Sequence, residues 1–190
     1  MKSFKQFIMI LEAIDPDKYE DQASGKESSL FLGRMQPIHK GHDAIIKKMK
    51  NPIVVLVKGA KSSQDKERNP LDTNYQTKLI KMLNPKVDVF VAPSGYIPDM
   101  VNEYRKKGVE VTEILAGSDR INAYRGMING FNKQMPDEKK INVKFTETPR
   151  VTSATDVRNS IRGDDFETFK ELVPKKLHKE WETLKKKLKI

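Results

Sequence analysis

The run Ile53-Val54-Val55-Leu56-Val57 is apolar at every position and β-branched at all but one. A strand with one wet face alternates apolar and polar residues. A run without any polar position is the pattern of a strand covered on both faces, as in a parallel sheet held between helical layers. Companion runs at Leu30–Leu32, Val87–Ala92, Val109–Ala116 and Ile141–Glu147 predict four more strands. Helical patterns fall between them, over Asp43–Lys50, over Asp72–Leu83 with Leu79, Ile80 and Leu83 on one face, over Asp99–Lys107 closed by Gly108, and over Thr152–Arg162. Strands alternating with helices predict the α/β class, a doubly wound, mainly parallel five-stranded sheet with helices on both faces.

Ligands of such sheets sit just past the carboxyl ends of the strands. Residues 33–42, 58–69, 93–98, 117–120 and 148–155 are therefore the places to inspect. Two of the chain's three histidines, His39 and His42, lie in the first of these, with Lys40 and Gly41 between them. A helix starting near His39 offers unsatisfied N–H groups and the positive end of its dipole to an anion, and Gly41 lets a phosphate come close to the backbone. Three positions apart, the two imidazoles share one side of the first turn. A phosphate-handling site follows. A metal pair is the second reading, but no Asp, Glu or third His stands at a suitable spacing, so no metal site built from protein side chains is predicted. Ordinary surface histidines at a helix start are the third.

Cysteine is absent, which excludes disulfides and thiolate-bound metals. Phe7–Leu11 is too short to span a bilayer, so the expectation is a cytoplasmic chain with no membrane partner. The formal charge of +10 over 190 residues suits nucleic acid, an anionic surface or a polyphosphate substrate without choosing among them.

The segment Gly33-Arg34-Met35-Gln36-Pro37-Ile38-His39-Lys40-Gly41-His42 resembles the Gly-Arg-Phe-Gln-Pro-Phe-His-x-Gly-His signature of the HxGH nucleotidyltransferase superfamily, closest to the archaeal-type nicotinamide-mononucleotide adenylyltransferases. Thr152-Ser153-Ala154-Thr155-Asp156-Val157-Arg158 resembles the superfamily's second signature, Ile-Ser-Gly-Thr-x-x-Arg, and Asn69-Pro70-Leu71 resembles its Asn-Pro-Phe. Met35 and Ile38 replace aromatic residues, Ala154 replaces a glycine, and Asn74-Tyr75-Gln76 stands where Gly-Glu-Arg is common. The resemblance implies a Rossmann-like fold over residues 29–163 and transfer of AMP from ATP to a small phosphorylated acceptor, nicotinamide mononucleotide first, with a cytidylyltransferase or a pantetheine-phosphate adenylyltransferase as alternatives.

It further implies His39, His42 and Arg158 as catalytic groups on the triphosphate, and Gly33, Arg34, Met35, Lys40, Gly41, Ser153 and Thr155 as nucleotide-binding positions. Mg2+ would be carried mainly by the triphosphate. In-line displacement at the α-phosphorus needs positioning and charge stabilisation, and a set of imidazoles and a guanidinium meets that need. Gly117, Asp119 and Arg120 follow a strand and suit the acceptor or a ribose; Ser118 or Asp119 acting as a helix N-cap explains the same residues without a ligand. Residues 58–69 read either as a mobile phosphate-covering loop or as a solvated linker.

The ends differ from this domain. Residues 1–28 are expected to form a short amphipathic leader, marked by Phe4, Phe7, Ile8 and Leu11, and a polar linker from Asp15 to Ser28. Ile10-Leu11-Glu12-Ala13 resembles the cleavage site of prohead proteases of large tailed phages, which implies cutting after Glu12 and a chain made in host cytoplasm and packaged in a virion; a frayed N-terminus is the plainer alternative. Residues 164–190 predict a basic amphipathic helix introduced by Pro174, its stripe Leu177, Trp181, Leu184 and Leu188 packed on the domain. Its lysines face water or, as the other function class, nucleic acid. His178 is expected at the surface, and no oligomeric state is assigned.

Overall fold

The computed structural model describes residues 14–58, 65–149 and 152–188. The Ile10-Leu11-Glu12-Ala13 match lies outside them, as does much of the 58–69 loop. Strands β1 (Lys26–Leu32), β2 (Ile53–Val57), β3 (Asp88–Ala92), β4 (Val109–Gly117) and β5 (Lys144–Thr148) form one sheet in the order β3-β2-β1-β4-β5. Every neighbouring pair is parallel. The connecting helices are α1 (Lys40–Ile46), α2 (Thr73–Leu83), α3 (Ile97–Arg105), α4 (Ser118–Asn132) and α5 (Ala154–Arg162), followed by α6 (Phe166–Leu172) and α7 (Trp181–Lys187).

Alternation within the strands explains the two-sided core. In β2, Val54 and Leu56 enter one apolar cluster while Ile53 and Val55 enter the other; in β1, Phe31 faces the first and Leu30 and Leu32 the second. Helices α1, α2 and α5 cover the first face, and α3 and α4 the second. The fully apolar run thus reports burial on both sides. From β1 the chain winds outwards through β2 to β3, then returns to place β4 on the other flank of β1. The order therefore reverses between β1 and β4, and it is at such a reversal that sheets of this kind bind ligands.

Both ends depart from expectation. The first strand begins at Lys26, four residues before the apolar run, and the stretch expected as a polar linker is docked on α3 and α4. Tyr19 packs edge-on against Phe131 at 4.8 Å and donates its hydroxyl to Asp99, while the Glu20 backbone N–H donates to Asn102. Arg105, nearly inaccessible, forks onto Glu110 and donates to the carbonyls of Glu20, Lys139 and Lys140. At the other end the single amphipathic helix is two pieces, a 3-10 helix over Lys175–Glu180 and then α7. Leu177, Leu184 and Leu188 are buried as the stripe requires. The preceding α6 carried no separate signal in the sequence. Phe166 and Phe169 from α6 surround Trp181 and His178, so His178 is half-buried among rings and not a surface residue. Among the described residues no helix is long and apolar enough to cross a membrane.

Candidate active site

The loop after β1 is fixed by its own Gln36 and by side chains reaching it from two helices, α2 and α5. Gln36 donates its amide N–H to the Leu71 carbonyl and accepts from the Leu71 N–H, each at 2.9 Å. Gln76, on α2, donates to the carbonyls of Arg34 and Met35. Arg158, on α5, donates from Nη1 to the Gln36 carbonyl at 2.7 Å. Met35 takes a left-handed backbone conformation with φ of 48° and is 1% exposed, its side chain in the apolar core. A nucleotide can therefore meet Met35, expected as a nucleotide-binding position, only through its backbone. Gly33 leads into this turn, and a methyl group on it would stand 2.7 Å from Met35 Cε.

His39 does not begin the helix but caps it. Its Nδ1 accepts from the His42 N–H at 3.4 Å, which places the proton of a neutral His39 ring on Nε2. The two imidazoles stack, with centroids 3.7 Å apart and planes inclined by 22°. Burial, and next the proximity of His39, hold His42 well below the ordinary histidine range. At neutral pH it therefore offers hydrogen bonds rather than a charge. His42 Nδ1 is buried and has no hydrogen-bond partner among the described residues. Lys40 is exposed at the first helical position. Asp43, buried beneath the turn, accepts from Lys47 and Asn84 and so anchors α1.

The two signature segments meet here across more than a hundred residues of sequence. A methyl group on Gly41 would lie 3.1 Å from the His39 ring and 3.8 Å from the Thr152 backbone nitrogen. Ser153 caps α5 in a capping box, its hydroxyl donating to Asp156 and accepting from the Asp156 N–H. That hydroxyl is engaged in the box, so Ser153 presents less to a ligand than expected. Thr155 accepts from Arg158 Nη2 at 3.1 Å. Arg158 is 7% exposed, and its Nε is buried with no hydrogen-bond partner among the described residues. Burial, then Arg162 and Arg34, pull its pKa down, so positive charge is concentrated at this point. The expectation of an arginine open to the triphosphate is modified: one of its donors braces the β1 loop and another is engaged by Thr155 on its own helix.

Gly117 is the N-cap residue of α4, with no side-chain capping bond, so neither Ser118 nor Asp119 caps. Asp119 and Arg120 are exposed and face one another at 3.5 Å beside the reversal. Beyond Gln36, on the β2 side, lies a cleft of about 440 Å³. Arg34, Lys58 and Lys66 line it and form no ion pair among the described residues, whereas its carboxylate, Asp72, caps α2 and binds Lys187 at 3.0 Å. Sequence reasoning missed Gln36 and Gln76 as clamps, because a side-chain amide gripping a remote carbonyl leaves no periodic signal. The amide at Gln76 stands where the resemblance expected an arginine.

No protein-family model matches the chain. In sequence it is 29% identical over 149 residues to a nicotinamide-nucleotide adenylyltransferase of Methanococcus aeolicus, an alignment covering 77% of this chain and 83% of that protein. In structure it resembles Thermotoga maritima TmcAL bound with alpha-thio ATP, with a TM-score of 0.51 and 14% identity over 83% of this chain and 55% of that one. The chain thus spans about half the length of TmcAL, and this likeness is one of fold. The sequence relative supports the nucleotidyltransferase superfamily.

Proposed function

We propose that this chain transfers AMP from ATP to a phosphate-bearing acceptor and releases pyrophosphate, with nicotinamide mononucleotide as the acceptor. The observation that carries this is the convergence of His39, His42 and Gly41 with Thr152 at the point where the strand order reverses. The name of the Methanococcus aeolicus relative supports the acceptor.

In the reaction an acceptor phosphate oxygen forms a bond to the α-phosphorus as the bond from that phosphorus to the α–β bridging oxygen breaks. Charge grows on the equatorial oxygens and on the departing pyrophosphate, so fixed donors at those positions lower the barrier. His39 and His42 supply N–H donors, the α1 start supplies backbone donors, and Arg158, Arg34 and Lys40 supply the surrounding positive potential. Mg2+ bound by the triphosphate would neutralise part of its charge. Among the described residues no cluster of three His, Asp or Glu offers a cage. The cationic cleft lined by Arg34, Lys58 and Lys66 receives the acceptor phosphate.

The test is pyrophosphate release with ATP or CTP against nicotinamide mononucleotide, phosphopantetheine and phosphorylated alcohols. Turnover is expected with ATP and nicotinamide mononucleotide. Silence across the whole panel would refute the assignment.

A further inference from the structure

Helix α2 has its amino end at the cationic cleft and its carboxyl end at a second cationic feature about 16 Å away along the helix axis. There Lys175, Lys176 and Lys179 of the 3-10 helix converge on Met82 and line a notch of about 240 Å³. All three lysines are exposed, and none forms an ion pair among the described residues. Nearby, Lys78 pairs with Glu180, Lys185 with Asp164 and Lys187 with Asp72, whereas the exposed Lys81 and Lys186 form no ion pair among the described residues and add to the positive potential. No carboxylate lines the notch. The carboxyl end of α2 contributes a negative dipole equivalent to about half a charge, which offsets only a fraction of three ammonium groups.

From this we infer that the notch binds the phosphate backbone of nucleic acid, independently of the catalytic site. Lysine is a point charge without the planar fork that reads bases, so the contacts are to phosphates and carry no sequence preference. A membrane fits less well, because Leu177, Leu184 and Leu188 are buried and the exposed large apolar residues, Val57, Val91 and Phe166, do not line the notch. Three neutralised phosphates give a salt slope of about −2.7 in log affinity, or roughly a 40-fold loss between about 50 and 200 mM salt.

The experiment is fluorescence anisotropy of the full chain with a labelled mixed-sequence duplex of about 20 base pairs, over that salt range. The Lys175→Gln/Lys176→Gln/Lys179→Gln variant is expected to lose most affinity at low salt and to bind with a slope shallower by about 2.7. A control, Lys26→Gln/Lys48→Gln/Lys133→Gln, removes three exposed lysines elsewhere and the same charge, and is expected to retain the slope. Equal losses in the two variants would overturn the site in favour of general charge attraction. So would absence of duplex binding, or notch-dependent binding to phosphatidylserine vesicles that exceeds binding to duplex. Pyrophosphate release is read separately, so each assignment can fail alone.

Discussion

Arg158→Ala separates a strut from a phosphate ligand. The guanidinium joins α5 to the β1 loop by a 2.7 Å bond to the Gln36 carbonyl and also holds Thr155 at 3.1 Å. A charge-assisted bond to a buried carbonyl contributes about 1.5–3 kcal/mol and the bond to Thr155 about 1 kcal/mol. The buried, unpartnered Nε–H recovers roughly 1 kcal/mol when it is removed. The net loss is then about 1.5–3 kcal/mol, or a fall in Tm of roughly 3–12 °C for a chain of this size. Arg158→Lys keeps the charge and one bond and should lose about half as much. Urea unfolding at unchanged m-value measures this without any substrate. A residue that acted only on phosphate would leave the unfolding midpoint in place, and that result would refute the strut.

His42→Asn should lower kcat about 100–1,000-fold while changing the ATP KM less than about threefold, since a donor aimed at developing charge acts mainly in the transition state; steady-state kinetics of pyrophosphate release reports both. The same residue sets a pH slope. Its folded pKa lies below the unfolded value of about 6.5, so the unfolded chain takes the proton first, and the stability it contributes is complete above that value and declines as pH falls through it. Melting curves at about pH 7.5 and 5.5 should show a steeper acid loss in the parent than in His42→Asn, by up to about 1.4 kcal/mol per pH unit. Gly41→Ala places a methyl 3.1 Å from the His39 ring and should weaken ATP binding measured by calorimetry more than it lowers Tm.

Elements whose residues carry their own periodicity were legible. The buried run of β2 and the one-sided face of α2 could be read directly, because each reflects burial within a few positions. The loop after β1 stood out as a pattern of His, Gly and Lys, and the segment at Thr152 by its place after a strand and by resemblance. What escaped depends on contacts between remote segments. Met35 was expected as a nucleotide-binding position, and the sequence does not display the core contacts that bury its side chain. Arg158 looked free because its acceptor, the Gln36 carbonyl, belongs to a loop more than a hundred residues away. The Asp15–Ser28 stretch looked like a linker because its attachment uses one ring and several backbone groups instead of an apolar stripe.

That attachment has its own consequence. Tyr19 inserts between α3 and α4, with its ring on Phe131 and its hydroxyl on Asp99; burial and then that carboxylate push its pKa up, so it remains a donor at any working pH. Removing a half-buried ring, an edge-to-face pair and one bond costs about 2 kcal/mol, whereas Tyr19→Phe forfeits only the bond, about 0.5–1 kcal/mol. Docking also protects the Arg105–Glu110 pair, because Arg105 donates to the Glu20 carbonyl and Glu110 accepts from the Ala23 N–H. A chain cut after Glu12 keeps these contacts, whereas one cut after Gly25 loses them and opens a buried ion pair to water. Thermal melts should therefore rank the chain from Ala13 above Tyr19→Ala in that background, and both above the chain from Lys26. Equal melting of the chains from Ala13 and Lys26 would mean that residues 13–25 merely lie on the domain and do not help to hold it.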